Sequence, residues 1–517
     1  MAETPPYAKR SKAAESAEQD RALARSMRGE RKAMLAAGET WLPKFELETD
    51  KRYAVRKAGT PFTNFLGEAV GFAVGQAFQK EPKWQDDIPA QILDKLEVID
   101  ERGRHANLFL ADIFADFWYE GCGLYVVDMP PAIATVDGAP PLKSETDGRL
   151  PYWVRYDVSA VLGWFDRYEN GRKVYDQLRF EYCAKVKDGE FGEREEKRAR
   201  CYWAPGGTWP TASYAEWKFV EKVGNVEAHW EDLQVRTALD IDEIPVVVLG
   251  DLDGKPPLQA VADLNLIDYQ NGSVLSNIEK VANIPLPTAT GINPDDLSKS
   301  LAQWAADSIV ATGQADATFG YWEHSGACIG ELKKTIEANR MEMARRSMRS
   351  LFDGRSGTPT ATSDILQAGG TAARIATSVS MLQDAAERAL ALMAKWLALP
   401  EGGSVEFNRK FLSLPMKEQG KDWLMMLVQM GVLSKESAFA IAQWYEAIPD
   451  SLVYADEKAK IEHEGGNESE IGADGALARR VASLMAEGLD VNAAMEQAKA
   501  ERDAMDAPVA EDEEEAA

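Results

Sequence analysis

Apolar residues recur every three or four positions along three long stretches, and alternate with polar ones in the stretch that precedes them. From Leu258 to Asn283, Leu264, Ile267, Val274, Ile278 and Val281 fall on one side of a helix. At 1.5 Å per residue this helix spans about 37 Å, and Ile284-Pro285-Leu286-Pro287 stops it. A second long helix is predicted from Glu331 to Phe352, with Leu332, Ile336, Met343 and Leu351 on its apolar side. The segment between them carries a short helix around Trp304 and a strand-like Ile309-Val310-Ala311. A third helix runs from Ser363 to Leu399, where Ile375, Val379, Leu382, Ala386, Ala389, Met393 and Trp396 keep a 4-3-4-3 rhythm. Gly369-Gly370 near its start costs on the order of 2 kcal/mol relative to alanine, so a kink is expected there.

Upstream, residues 1–35 mix charges without an apolar centre and read as an exposed, helix-prone arm. Trp41 to Asp100 is mainly helical, punctuated by Pro82 and Pro89. Leu108 to Tyr119 is a dense apolar helix ending at Gly121-Cys122-Gly123, and Leu124 to Asp128 reads as a buried strand. Pro151 to Leu249 is β-rich. The strand candidates are YWVRYD, VYDQLRFEYCAKV, ARCYWA, WKFVEKV and PVVVLG, separated by turn signals at Asp188-Gly189 and Pro205-Gly206-Gly207. Strands cluster instead of alternating with helices, so the body is α+β rather than doubly wound. Ser404 to Phe411 is predicted to return as a strand to the earlier sheet, and the C-terminal third is helical, with Ser434 capping Lys435–Ala447.

Composition narrows the function. The chain has 517 residues with 58 Lys+Arg against 84 Asp+Glu, a net charge of −26, which excludes a protein that coats DNA with a general positive surface. Residues 464–517 hold 15 acids against 4 bases, and the run Glu511 to Glu515 is expected to be a solvated, disordered tail. Cys122, Cys183, Cys201 and Cys328 have no CxxC spacing, and His105, His229, His324 and His463 make no HExxH pair. No metal or cofactor site follows from them, nor does a GxxxxGK[ST] phosphate loop occur. Phe62 to Phe78 is too short and polar to span a membrane. Its Gly67, Gly71 and Gly75 form a smooth stripe suited to close helix packing.

Two features carry candidate chemistry. Lys333, Lys334, Arg340, Arg345, Arg346 and Arg349 form the densest basic run outside the N-terminus. They either attract phosphates or pair with Glu331, Glu337 and Glu342 at helical spacing. The loop from Asp353 to Thr362, broken by Gly354, Gly357 and Pro359, offers Arg355, Thr358, Thr360 and Thr362 to a phosphate backbone, or is simply a connection between helices. The aromatic clusters Phe117-Trp118-Tyr119, Tyr202-Trp203 and Tyr321-Trp322 are expected in core or interface packing rather than stacked on bases.

The order of these elements resembles the portal proteins of tailed bacteriophages, and more narrowly the branch known as a phage-associated domain of unknown function. The resemblance rests on Trp41-Leu42-Pro43-Lys44 with Tyr53-Ala54-Val55-Arg56 and Phe62-Thr63-Asn64, and on Ile99-Asp100 with Gly103. It continues in Glu120 to Pro130, Leu150-Pro151-Tyr152-Trp153, Pro256-Pro257-Leu258 with Asp263-Leu264-Asn265 and Tyr269-Gln270, and Thr371-Ala372-Ala373-Arg374. These fragments cover roughly residues 40–400. The Gly369-Gly370 break and the acidic C-terminal section depart from the pattern.

The resemblance implies a homo-oligomeric ring, usually a dodecamer, at one capsid vertex of the virion, assembled in the host cytoplasm. Double-stranded DNA would pass through it during packaging and ejection. Its partners would be the terminase large subunit, a head–tail adaptor and the major capsid or scaffolding protein, with no membrane. By position, residues 1–257 would form arm and wing, 258–283 and 331–352 the stem, and 284–330 the clip. Residues 353–363 would be the tunnel loop, 364–411 the long kinked wing helix and returning strand, 412–505 a helical crown, and 506–517 the tail. The six cations of the basic run and the four loop residues would line the DNA channel. No catalytic step is expected of the chain. The alternatives are a non-conducting head–tail adaptor and a metal-dependent hydrolase or nuclease built on Asp128, Asp251 and Asp253.

Overall fold

The computed structural model describes residues 5–130, 149–169, 171–221, 227–282, 286–290, 316, 318–322, 327–347, 361–409, 425–428, 434–444, 448 and 452–463. The chain divides into two compact units, Met1–Phe411 and Leu412–Ala517.

In the first unit, α1 (Lys12–Arg28) and α2 (Glu30–Ala37) open the chain, followed by α3 (Asp50–Gly59), α4 (Phe65–Ala77), the short β1 (Lys83–Trp84) and α5 (Ala90–Leu96). Then comes α6 (Ala106–Glu120). Phe109, Leu110, Ile113, Phe114, Phe117 and Trp118 repeat at three and four, so one broad face is buried. Gly121 ends this helix at φ +77°. A Cβ there would lie 2.5 Å from the Lys255 carbonyl oxygen, so both conformation and space demand glycine.

The chain passes directly into β2 (Cys122–Asp128), the centre of a three-stranded antiparallel sheet ordered β3 (Tyr152–Arg155), β2, β9 (Val246–Gly250). Alternation gives β2 two buried faces. Tyr125 and Val127 enter a large core with α4, α5 and α6, while Cys122, Leu124 and Val126 enter a second core with Tyr156, Leu178, Phe180 and Tyr202. That second core lies under a five-stranded antiparallel meander of β4 (Val161–Glu169), β5 (Arg172–Asp188), β6 (Gly192–Trp203), β7 (Ser213–Val220) and β8 (His229–Ala238). The mixed α+β class is as expected. The outer strands β4 and β8 lacked a sequence signal because they are edges with few buried side chains, identified only by their pairing.

Beyond the sheets, α7 (Gln259–Ala282) leads to β10 (Leu286–Thr290), which pairs antiparallel with β11 (Thr318–Trp322), and α8 (Ala327–Arg346) then packs on α7. Next, α9 (Ala361–Trp396) is one uninterrupted helix through Gly369-Gly370. Its predicted rhythm is realised, with Ile375, Val379, Leu382, Ala386, Ala389 and Met393 all buried in the large core. Trp396 is half-buried there and donates from Nε1 to the Val127 carbonyl (2.9 Å). The expected return strand is much reduced. Among the described residues only β12 (Val405–Glu406) forms, and it pairs with β1 rather than with the earlier sheet, because Ser404 is held at Asp87 (Ser404 N to Asp87 Oδ1, 3.0 Å). The Trp304 helix and the Ile309 strand lie outside the described residues.

The exposed N-terminal arm is corrected. Leu23, Ala24, Met27 and Met34 belong to the large core. Arg21, 3% exposed, donates to the carbonyl oxygens of Glu120 (2.6 Å), Leu252 (3.0 Å) and Gly254 (2.9 Å). Arg25 meets Glu120 (2.6 Å), and Arg28 meets Asp116 (2.6 Å), which also receives two bonds from Arg155 (2.6 and 2.7 Å). The apparent solvated charges are thus counter-ions of buried acids and donors to the Glu120 carbonyl at the end of α6 and to the Leu252 and Gly254 carbonyls after β9.

The second unit contains α10 (Lys435–Trp444) and α11 (Tyr454–His463) among its described residues. Ser434 caps α10 as expected, its Oγ accepting from Ser437 N (3.0 Å). The acidic residues 464–517 lie outside the described residues.

Candidate functional site

The segment that bears the candidate chemistry is the helix pair α7 and α8. Their contact explains a result the sequence did not give. The apolar stripe of α7 was expected to be its inward face, yet Ile267 is 43% exposed, and Leu264, Val274 and Ile278 are only half-buried. Turned inward instead are Val261, Ala262, Asn265, Asp268, Tyr269 and Ser273.

Each of the three polar side chains has a partner that fixes α7 to the body. Asn265 accepts from Leu66 N (3.2 Å) and donates to the Thr63 carbonyl (2.9 Å), bridging the turn where α4 begins. Ser273 Oγ accepts from Thr60 Oγ1 (2.9 Å) and from Arg56 (3.2 Å). Arg56, itself buried, grips Glu48 through Nε (2.8 Å) and Nη2 (2.7 Å) and also reaches the Pro43 carbonyl (2.8 Å). The Arg56 hydrogen bonds hold the Glu48 carboxyl below its ordinary range against the opposing effect of burial. Asp268, also buried, takes two bonds from Arg340 of α8 (2.8 and 3.3 Å), whose guanidinium lies 5.5 Å from the centre of the Phe65 ring. Sequence reasoning missed these residues because it followed the apolar stripe. The signal was the second, polar stripe at positions 265, 268 and 273 of the same helix.

The basic run divides in two. Lys333 and Arg340 cross to α7, pairing with Glu279 (2.9 Å) and Asp268. Lys334 pairs within α8 with Glu331 (2.9 Å), while Arg345 and Arg346 share Glu342 (2.8 and 2.7 Å). Hydrogen bonds from Arg345 and then Arg346 pull the Glu342 carboxyl down to about 2. All five cations therefore have carboxylate partners, although their side chains stay largely open to solvent. On the apolar side of α8, Ile336 and Met343 are buried as predicted. Arg349, Arg355, Thr358 and Thr360 lie outside the described residues, as does most of the expected tunnel loop. Thr362 falls in the first turn of α9, with its side chain outside the description.

The alternative acid cluster does not assemble. Cys122 pairs with Gly250, so Asp128 sits at the far end of β2 from Asp251, about 20 Å away at strand rise. Asp128 instead faces Arg200 (3.5 Å), its carboxyl pKa raised by burial, while Asp251 meets Lys173 (3.3 Å). Among the described residues no group of three His, Cys, Asp or Glu side chains could hold a metal. No described helix is long and apolar enough to cross a membrane. Of the aromatic clusters, Phe117, Trp118 and Tyr202 are buried in the cores.

The fold is an α+β body carrying an antiparallel pair of long helices that turns back through a small β ladder. A model of the family described as "Domain of unknown function (DUF4055)" matches residues 257–397, which takes in that pair, the ladder and the whole of α9. No curated protein sequence matches the chain. Among solved structures, a chain of "Virion of native gene transfer agent (GTA) particle" is similar at 14% identity and a TM-score of 0.36, covering 80% of this chain and 97% of that one. A chain of "Neck of empty GTA particle computed with C6 symmetry" gives 13% identity, a TM-score of 0.35, and coverage of 78% and 97%. One from "Neck of native GTA particle computed with C12 symmetry" gives 15%, 0.32, and coverage of 80% and 97%.

Proposed function

We propose that this chain is a structural protein of a tailed-phage-type particle and that it forms the portal: a homo-oligomeric ring at the capsid vertex through which duplex DNA enters and leaves. The observation that carries the reading is the open apolar face of α7. A helix fastened to its own body by buried polar side chains, with Leu264, Ile267, Val274 and Ile278 left uncovered or half-covered, calls for an apolar partner outside the subunit. A head-to-tail neighbour in a closed ring supplies one to every copy without leaving an end. The portal resemblance over residues 40–400 supports the same reading.

In this proposal α7 and α8 are the stem and the β10–β11 ladder belongs to the clip. Cations already paired with Glu331, Glu342, Glu279 and Asp268 give a surface with little net attraction for phosphate. That suits a channel whose cargo must slide, as does the chain's overall negative charge. The chain performs no catalysis itself, and a separate terminase motor drives the DNA. The remaining partners are a head–tail adaptor and the capsid or scaffolding protein.

Electron microscopy of the purified full chain tests the proposal. Closed rings with a bore wide enough for a duplex are expected. A narrower bore would make the protein a non-conducting adaptor, and single subunits at high concentration would refute the ring.

A further inference from the structure

The meander contains an arm that its neighbouring strands do not support. β4 pairs with β5 only as far as Phe180, and β7 reaches β6 only to Arg198. Beyond that point β5 and β6 continue alone, from Cys183 opposite Lys197 to Asp188 opposite Gly192. The result is a two-stranded ribbon about 20 Å long. Its outer face is stapled by opposite charges across the strands, Lys185 opposite Glu195 and Lys187 opposite Glu193, with a diagonal ion pair from Lys185 to Glu193 (3.5 Å). At the tip, Gly189-Glu190-Phe191 form the loop, with Gly189 at φ +70° and the Phe191 side chain 92% exposed. A lone two-stranded ribbon is marginal in water, and a bare aromatic at its end is unfavourable unless something covers it.

The same unit carries a matching recess. Between α3, the loop before it and α7 lies a hollow of about 710 Å³ lined by Phe45, Leu47, Glu48, Val55 and the cations Lys51 and Arg52. Leu47 is 92% and Val55 62% exposed, so its walls are apolar and open. Glu48 is neutralised by Arg56, which leaves the rim positive. The ribbon tip is the converse, with Asp188 and Glu190 beside Phe191.

We propose that the Phe191 tip of one copy docks into the Phe45/Leu47/Val55 recess of the next copy. The contact joins two different surfaces, so it propagates head to tail and closes only as a ring. It rests on the ring reading above and adds a named contact to it.

The test uses the full chain with the exposed Cys183 and Cys328 replaced by serine, carrying Phe191→Cys and Leu47→Cys. Mild oxidation should give a ladder of covalent multimers that needs both new cysteines. Rings seen by electron microscopy without a ladder, or a ladder from either cysteine alone, would overturn this contact while leaving the ring intact. Isolated subunits without a ladder would overturn both. In the uncrosslinked protein, Glu190→Lys should raise the concentration for half-assembly roughly tenfold, and Lys51→Glu with Arg52→Glu should reverse much of it. An unchanged assembly midpoint in Glu190→Lys would count against the docking.

Discussion

Replacing Arg21 by methionine isolates what fastens the N-terminal helices to the body. Methionine keeps the unbranched stem and most of the volume, so the change removes mainly the guanidinium and its bonds to the carbonyls of Glu120, Leu252 and Gly254. Three charge-assisted bonds at about 1.5–3 kcal/mol each set a ceiling of roughly 4.5–9 kcal/mol. Relief from burying a charge offsets several kcal/mol of that, leaving a net loss of about 3 kcal/mol, or about 150-fold in the folded-to-unfolded ratio. Urea unfolding followed by tryptophan fluorescence measures the loss, and hydrogen exchange at amides 14–27 shows where it falls. Arg21→Lys should recover only part, since one ammonium cannot reach three carbonyls in fixed directions. A loss below about 1 kcal/mol, with protection of α1 unchanged, would refute the claim that Arg21 anchors the helix.

Other outcomes follow from the same contacts. Glu48 has a lowered folded-state pKa, so its contribution to stability is present above the ordinary carboxylate value and is lost as the pH falls through the folded value. Glu48→Gln should flatten that part of the acid unfolding curve, and an identical curve would exclude it. Arg340→Ala strands the nearly covered Asp268 carboxylate and should cost about 1–3 kcal/mol by chemical denaturation, discounted because Arg340 is half-exposed; the double change with Asp268→Asn should recover most of it. If the proposed portal ring forms, Arg345→Glu with Arg346→Glu should spare its assembly yet impair DNA packaging in a packaging assay, and unchanged packaging would remove these arginines from the proposed channel. Deleting residues 506–517 should leave assembly intact, as counted by electron microscopy.

Much of the chain was legible without coordinates. The α6–β2 junction at Gly121, the rhythm of α9 and the β-rich middle all rest on local rules: a 3.6-residue or two-residue period and a glycine where a left-handed turn is required. Of the candidate site, the helices and the glutamate partners of Lys334, Arg345 and Arg346 were readable, because they are set by spacing along one helix. The pairing of Lys333 and Arg340 with residues on α7 was not, since it depends on how two distant segments meet.

What the sequence determined, then, is the long helices, the α6–β2 junction and the inner strands of the β-rich middle, but not the edge strands β4 and β8 or the extent of β12. The tertiary structure decided which faces turn inward. In α1, a stripe of alanine and methionine among arginines looks solvated until Asp116 and Glu120 arrive from α6. In α7 the buried face sets Asn265, Asp268 and Ser273 among the core residues Val261, Ala262 and Tyr269, because Arg56, Thr60, Thr63 and Arg340 satisfy those three polar side chains there, while the stripe of Leu264, Ile267, Val274 and Ile278 stays open or half-covered. Periodicity is a property of one segment. Burial is settled between segments, by whether each polar group finds its partner.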